Sequence, residues 1–274
     1  DGEDMTVWTS NQMINWNRQS IATTFGIDQE RIRVESPYVG GGFGAKLWLR
    51  ADAVLAALAT ASHVLSCVPP DKESGADPVL DAFGDALGAR WLGYLSSTGV
   101  YGDTAGAWVD ESSPTGEGRR TARAQCDAHW LEKGARVFRL PGIYGPGRSI
   151  FERLDQGRAH RIDLPGQVFS RVHVEDIVRG VMAAIASSAP SGAYNLSDDL
   201  PTSQNAVVEE ACRLTGSAPP PLQTLDEADL SPMARGFYAE NRRVANGKAK
   251  RVLGWEPLYP TYREGLKAIL EAEL

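Results

Sequence analysis

The sequence predicts an α/β fold with a doubly wound parallel sheet, and three observations lead to it. Short apolar runs of strand length, at 63–68, 91–97 and 136–140, alternate with stretches of helical composition. Start and stop signals fall between them, among them Gly26, Pro69-Pro70 and the acidic pair Glu175-Asp176. The chain has 274 residues, 42% hydrophobic and 23% charged, enough for one large α/β domain or two small ones.

Taken in order, 5–10 reads as a strand and 14–25 as a helix that stops at Gly26, where a positive φ is free of cost. Residues 31–39 read as a second strand. The run Gly40-Gly41-Gly42-Phe43-Gly44-Ala45 follows, then an Ala/Leu-rich helix over 46–61. A buried strand at 63–68 ends at Pro69-Pro70. A helix over 77–89 precedes the strand 91–97, which runs into a loop over 98–114. A helix at 119–133 with an unusually basic start leads to the strand 136–140. Further on come a short helix at 151–156, a short strand at 169–173, a helix at 174–187 opened by acidic residues, and a strand at 193–196. A helix at 203–215 capped by Thr202 or Ser203, a Pro-rich connector at 217–222 and an amphipathic helix at 262–273 complete the pattern. No internal repeat is visible.

Composition narrows the function. A net charge of -7, from 35 acidic and 28 basic residues with no Lys/Arg-rich block, argues against nucleic-acid binding and for a small-molecule partner. Cys67, Cys126 and Cys212 show neither C-x-x-C spacing nor a His cluster, so no disulfide framework or zinc site is expected and a cytoplasmic setting fits. No apolar run approaches the ~20 residues of a membrane span. The start, DGEDMTVWTS, lacks a secretion signal and begins with Asp, which suggests an excised piece.

The stretch Tyr94-Leu95-Ser96-Ser97-Thr98-Gly99-Val100-Tyr101-Gly102-Asp103 puts small hydroxyl residues at the carboxyl end of a strand, where open α/β sheets bind ligands. It resembles the S-S-x-x-V-Y-G segment of extended short-chain dehydrogenases and nucleotide-sugar epimerases. In the same order, Arg139-Leu140-Pro141-Gly142-Ile143-Tyr144-Gly145-Pro146-Gly147 resembles R-x-x-x-x-Y-G-P-G, and His173-Val174-Glu175-Asp176-Ile177 resembles H-V-x-D-I/V. Tyr194-Asn195-Leu196 and the segment 248–257 (KAKRVLGWEP) resemble later family stretches, and 106–111 (GAWVDE) points to atypical bacterial members. The resemblance implies a Rossmann-like domain over 61–274 with a small C-terminal substrate-side region. It further implies a nicotinamide cofactor, NAD or NADP, held by Pro69, Ser96, Arg123, Pro141, Gly142 and Ile143, with Ser97, Thr98 and Tyr101 in catalytic positions. A homodimer is the family's usual assembly.

The family's Tyr and Lys acid/base pair does not recur. Its Y-x-x-x-K position aligns with Arg119-Arg120-Thr121-Ala122-Arg123, and an arginine stays protonated at neutral pH. Arg123 is suited to a ribose or phosphate oxygen, while Tyr101 or Tyr144 would have to act in place of the missing phenol. Bland readings stand beside these. Ser96, Ser97 and Thr98 would equally end a strand with satisfied hydroxyls, His173 would pin a helix start, and the three arginines would form a solvated helix face.

The beginning resembles something else. The phrases 6–12 (TVWTSNQ) and 36–50 (SPYVGGGFGAKLWLR) are similar to the molybdenum-cofactor-binding subunit of xanthine dehydrogenases and aldehyde oxidases. In that resemblance Gln12 would face the metal centre and Gly42-Phe43-Gly44 would lie beside it. The remainder of that enzyme does not follow, so a chimeric join is expected near 56–62. The join leaves a molybdenum-hydroxylase-like piece at 1–60 and the first βαβ unit of the dehydrogenase fold replaced or incomplete. Gly40, Gly42 and Gly44 form a substitute Gly-rich turn of G-x-G-x-x-A type between strand and helix. The expectation is an NAD(P)-binding oxidoreductase or epimerase/dehydratase-like enzyme with impaired or atypical catalysis. The alternatives are a non-catalytic dinucleotide-binding protein and a molybdenum-hydroxylase fragment.

Overall fold

The computed structural model describes residues 5–8, 14–25, 27–35, 58, 61–88, 90–116 and 121–273. Two compact units divide the chain, one of 1–64 with 79–91 and one of 65–78 with 92–274. In the first unit, β1 (Met5–Trp8), α1 (Ile14–Phe25) and β2 (Ile32–Glu35) form a βαβ arrangement in which β1 and β2 pair in parallel. Ile21, Ile32 and Val34 are its buried apolar cluster, with Ala22 and Ile27 packed on it. The N-terminal stretch therefore builds a βαβ unit of its own. Residues 9–13, 36–50 and the expected Gly40–Ala45 turn lie outside the described residues, as does most of the helix expected over 46–61. Leu58 of that stretch is described as helical and buried.

Later elements follow in chain order. They are β3 (His63–Ser66), α2 (Pro78–Phe83), β4 (Trp91–Ser97), β5 (Trp108–Val109), α3 (Thr121–Glu132), β6 (Arg136–Leu140), β7 (Gly142–Tyr144), α4 (Phe151–Asp155) and β8 (Arg161–Ile162). Then come β9 (Arg171–His173), α5 (Val174–Ala186), β10 (Gly192–Asn195), α6 (Gln204–Thr215), β11 (Leu222–Gln223), α7 (Pro232–Tyr238), β12 (Arg243–Val244), α8 (Gly247–Leu253) and α9 (Tyr262–Glu273). The main sheet runs β10-β6-β4-β3, and β6 pairs in parallel with both β10 and β4. Every other strand pairing described is parallel too, including β7 with β9.

Packing explains the central strands. Tyr94 of β4 is fully buried and stacks on Trp130 of α3, ring centroids 5.3 Å apart, while Trp130 Nε1 donates to Asp77 Oδ2 at 2.7 Å. Val137 and Phe138 of β6 are buried with them. Just after β10, Leu196 lies so close to α5 that a Cβ on Gly180 would meet its Cδ1 at 2.6 Å. A second core lies towards the C-terminus. There Tyr144, Phe151, Val208, Cys212, Leu266 and Ile269 bring α4, α6 and α9 together.

Three expectations change. The strand at 63–68 was expected to be buried, but of β3 only Ser66 is. The helix expected over 77–89 shrinks to α2 followed by a 3-10 turn at Gly84–Ala86. Helices α7 and α8 were not anticipated as helices; α7 opens with Ser231 capping Ala234 N–H and Pro232 in the first turn, a start pattern present in the sequence. No described helix is long and apolar enough to cross a membrane.

Candidate functional site

The site forms where β4 and β6 end side by side. Their register pairs Ser97 with Leu140, so the turn after Ser97 and the Pro141-Gly142-Ile143 stretch leave the sheet at the same end. Ser97 caps a 3-10 turn, Thr98–Tyr101, and its Oγ accepts the Gly99 N–H at 3.1 Å. Ser97 is partly exposed while Thr98 is buried. Gly142 is exposed and donates its N–H to Ser170 O at 3.1 Å, with Pro141 and Ile143 partly exposed on either side.

Arg123 of α3 lies against β4 just before this end. Its Nη1 donates to Tyr94 Oη at 2.9 Å and to Leu95 O at 3.5 Å. Burial pushes the Tyr94 phenol up to about 12, against the pull of the Arg123 charge, so this hydroxyl keeps its proton. Arg119 and Arg120 lie outside the described residues.

Two expected site residues point inward instead. Ser96, 5% exposed, donates its hydroxyl to Asp127 Oδ2 at 2.6 Å. Tyr101, 4% exposed, donates to Asn195 Oδ1 at 2.8 Å and accepts from Arg139 Nη1 at 3.0 Å. Alternation along a strand sends Ser96 and Ser97 to opposite faces, and the 3-10 turn folds Tyr101 back beneath the sheet end. Burial raises the Tyr101 pKa, which further opposes an acid/base role. Tyr144 is no substitute, because it belongs to the C-terminal core and its hydroxyl tip abuts Gly265, where a Cβ would lie in contact with it.

His173 has the structural role foreseen for it. It caps α5, with Nδ1 accepting the Glu175 N–H at 3.3 Å, and burial lowers its pKa, so it is neutral there. Pro69 is exposed beyond β3, and Gly40, Gly42 and Gly44 lie outside the described residues. What the residue-by-residue reading missed is the group beneath the turn: Asp127, Arg139 and Asn195, all buried. Arg139 and Asn195 stood inside the quoted motifs, and Asp127 lies one helical turn after Arg123, which was the available signal.

At the ends of β4 and β6 stand the partly exposed Ser97 and the exposed Gly142, with Arg123 of α3 bonded to Tyr94 and Leu95 two to three residues earlier on β4. Among the described residues no group of three His, Cys, Asp or Glu side chains is placed to hold a metal ion.

The fold is that of a dinucleotide-type α/β protein with a parallel central sheet. The chain is 36% identical to a conserved protein of unknown function from Silicibacter pomeroyi, covering 98% of this chain and 99% of that one at a TM-score of 0.74, and the two belong to one family. That family has the epimerase/dehydratase fold. The human epimerase family protein SDR39U1, solved with NADPH, superposes at a TM-score of 0.66 with 14% identity, over 98% and 99% of the two chains. The dTDP-glucose 4,6-dehydratase of Bacillus anthracis, solved with NAD, superposes at 0.66 with 15% identity, over 98% and 95%.

Among curated proteins, a 3-diazoavenalumate denitrifying reductase from a Streptomyces species is 35% identical over 144 residues, 47% of this chain and 45% of its own length. The pattern of the molybdopterin cofactor-binding domain matches residues 1–66. In line with it, the molybdenum-binding subunit PaoC of an Escherichia coli aldehyde oxidoreductase is 59% identical over 59 residues, 22% of this chain. The chain spans 8% of the length of PaoC and under half that of the Streptomyces reductase.

Proposed function

We propose that the protein is a nicotinamide-dependent oxidoreductase of epimerase/dehydratase type, acting on a small molecule at the paired ends of β4 and β6. The observation that carries this reading is the Ser97 turn set beside Pro141-Gly142 at the carboxyl end of a parallel sheet, with Arg123 of α3 against β4 just before that end. A nicotinamide dinucleotide, when bound, supplies hydride donation or removal. The Ser97 hydroxyl orients a substrate oxygen, and Arg123 offers its further N–H groups to a ribose or phosphate oxygen.

Neither arginine at the positions of the family's Tyr and Lys delivers a proton at neutral pH. The chemistry favoured is therefore hydride transfer at a carbon that needs no proton from the enzyme. The name of the Streptomyces reductase supports this, since a hydride delivered to a carbon bearing a diazonium group forms the C–H bond as the C–N bond breaks, its electron pair leaving with dinitrogen, and no proton is needed. A non-catalytic dinucleotide-binding protein is the second reading, favoured by the same two arginines.

Thermal melting in NAD, NADP, NADH and NADPH tests binding. One nucleotide at about 100 times its Kd raises Tm by about 5 °C or more, because only the folded chain binds it. A cooperative melt unmoved by all four overturns the reading. Where turnover is found, Ser97→Ala lowers kcat/KM about 100-fold; binding without turnover across reducible substrates leaves the second reading in place.

A further inference from the structure

Beneath the Ser97 turn the buried polar side chains form one branched hydrogen-bond chain, and Asp127 is its branch point. Asp127, 1% exposed, takes Ser96 Oγ and Arg139 Nε on Oδ2, at 2.6 and 3.1 Å, and Arg139 Nη2 on Oδ1 at 2.8 Å. Arg139 passes the chain on through Nη1 to Tyr101 Oη, and Tyr101 donates to Asn195 Oδ1. Asn195 Nδ2 then donates to Ala245 O at 3.0 Å. The chain thus ties together the carboxyl ends of β4, β6 and β10.

Its placement goes beyond holding strands together. Ser96 and Tyr101 bracket Ser97 and Thr98 in the sequence, so both ends of the site turn are pinned by this one chain. Asp127 lies four residues after Arg123 on α3, on the same helix face. The rotation of α3 that points Arg123 at Tyr94 and Leu95 is therefore the rotation that seats Asp127 on Arg139 and Ser96. A buried ion pair adds little net stability over apolar packing, while its directional bonds fix geometry.

We propose that Asp127 is a positioning residue for the nicotinamide end of the site, setting the Ser97-Thr98 turn and Arg123 against each other. This rests on the dinucleotide reading above. The test compares affinities of the wild-type chain, Ser96→Ala, Asp127→Asn and Asp127→Glu for the preferred dinucleotide and for its AMP fragment, which lacks the nicotinamide, its ribose and the phosphate beside it. Tryptophan fluorescence titrations run well below each Tm. Loss of one buried hydrogen bond is expected to weaken dinucleotide binding about tenfold in Ser96→Ala and more in Asp127→Asn, with fragment affinity unchanged and partial recovery in Asp127→Glu.

Equal weakening for dinucleotide and fragment marks a merely structural role and overturns the proposal, as do variants that match wild type. If Asp127→Asn does not fold, Ser96→Ala decides alone, because it keeps the ion pair. A wild-type chain that binds neither ligand overturns the dinucleotide reading and this proposal with it.

Discussion

Asp198 follows β10 at 2% exposed, and its Oδ2 finds no hydrogen-bond partner among the described residues. Burial pushes its carboxyl up to about 7 from an ordinary 3.8, against the pull of the Arg171 charge, and neighbouring Asp199 adds to the rise. A folded-state pKa above the unfolded one means that the folded chain holds the proton more tightly. The stability this contributes is complete below about 4 and is lost as pH rises through about 7. Asp198→Asn, which stays neutral, is expected to lose less stability than wild type between pH 5 and pH 8 and to exceed it at pH 8. Urea midpoints at both values check this, and parallel profiles for the two chains would refute it. At this scale the sequence revealed the cap at His173, which is set within a few residues of chain. It did not reveal where the hydroxyls of Ser96 and Tyr101 go, because their partners lie 31 and 94 residues away.

Elements with strong local signals were legible. The spans of α1, β4, β6 and α9 match those expected, and Ser203 caps α6 with its hydroxyl accepting the Ala206 N–H. Each carries an apolar pattern of one period or a cap that states its start. The exposure of β3 was not legible, since an apolar run does not say which of its faces will be covered. Edge chemistry is visible on β10, where Glu111 accepts the Asn195 N–H at 2.7 Å and Lys248 Nζ donates to Ala193 O at 2.7 Å. The contact of α5 with Leu196, just after β10, yields a prediction whose sign packing decides. In an exposed helix Gly→Ala would stabilise by about 1 kcal/mol. At Gly180 the added methyl meets fully buried Leu196, so Gly180→Ala is expected to destabilise by about 1–3 kcal/mol. Chemical denaturation reads this directly, and a stabilised variant would show that α5 is free to shift.

For the whole molecule, two likenesses meet in one chain. The molybdopterin-domain match covers residues 1–66, while the Silicibacter pomeroyi relative is matched over 98% of the chain. A chimeric origin of 1–60 remains our proposal for that overlap. Elemental analysis of the purified chain is expected to return less than about 0.1 molybdenum per protein, since a cofactor site assembled from a long chain needs more than a short piece of it; stoichiometric molybdenum would revive the hydroxylase reading.

The sequence by itself determined the α/β class and the order of the main elements, because these follow from period, caps and short motifs read over 5–15 residues. Only the tertiary structure decided that the hydroxyls of Ser96 and Tyr101 turn inward, that most of β3 is exposed, and that Asp127 joins helix to turn. Those outcomes depend on which distant residues arrive as partners, and burial makes each buried polar group take one where it can.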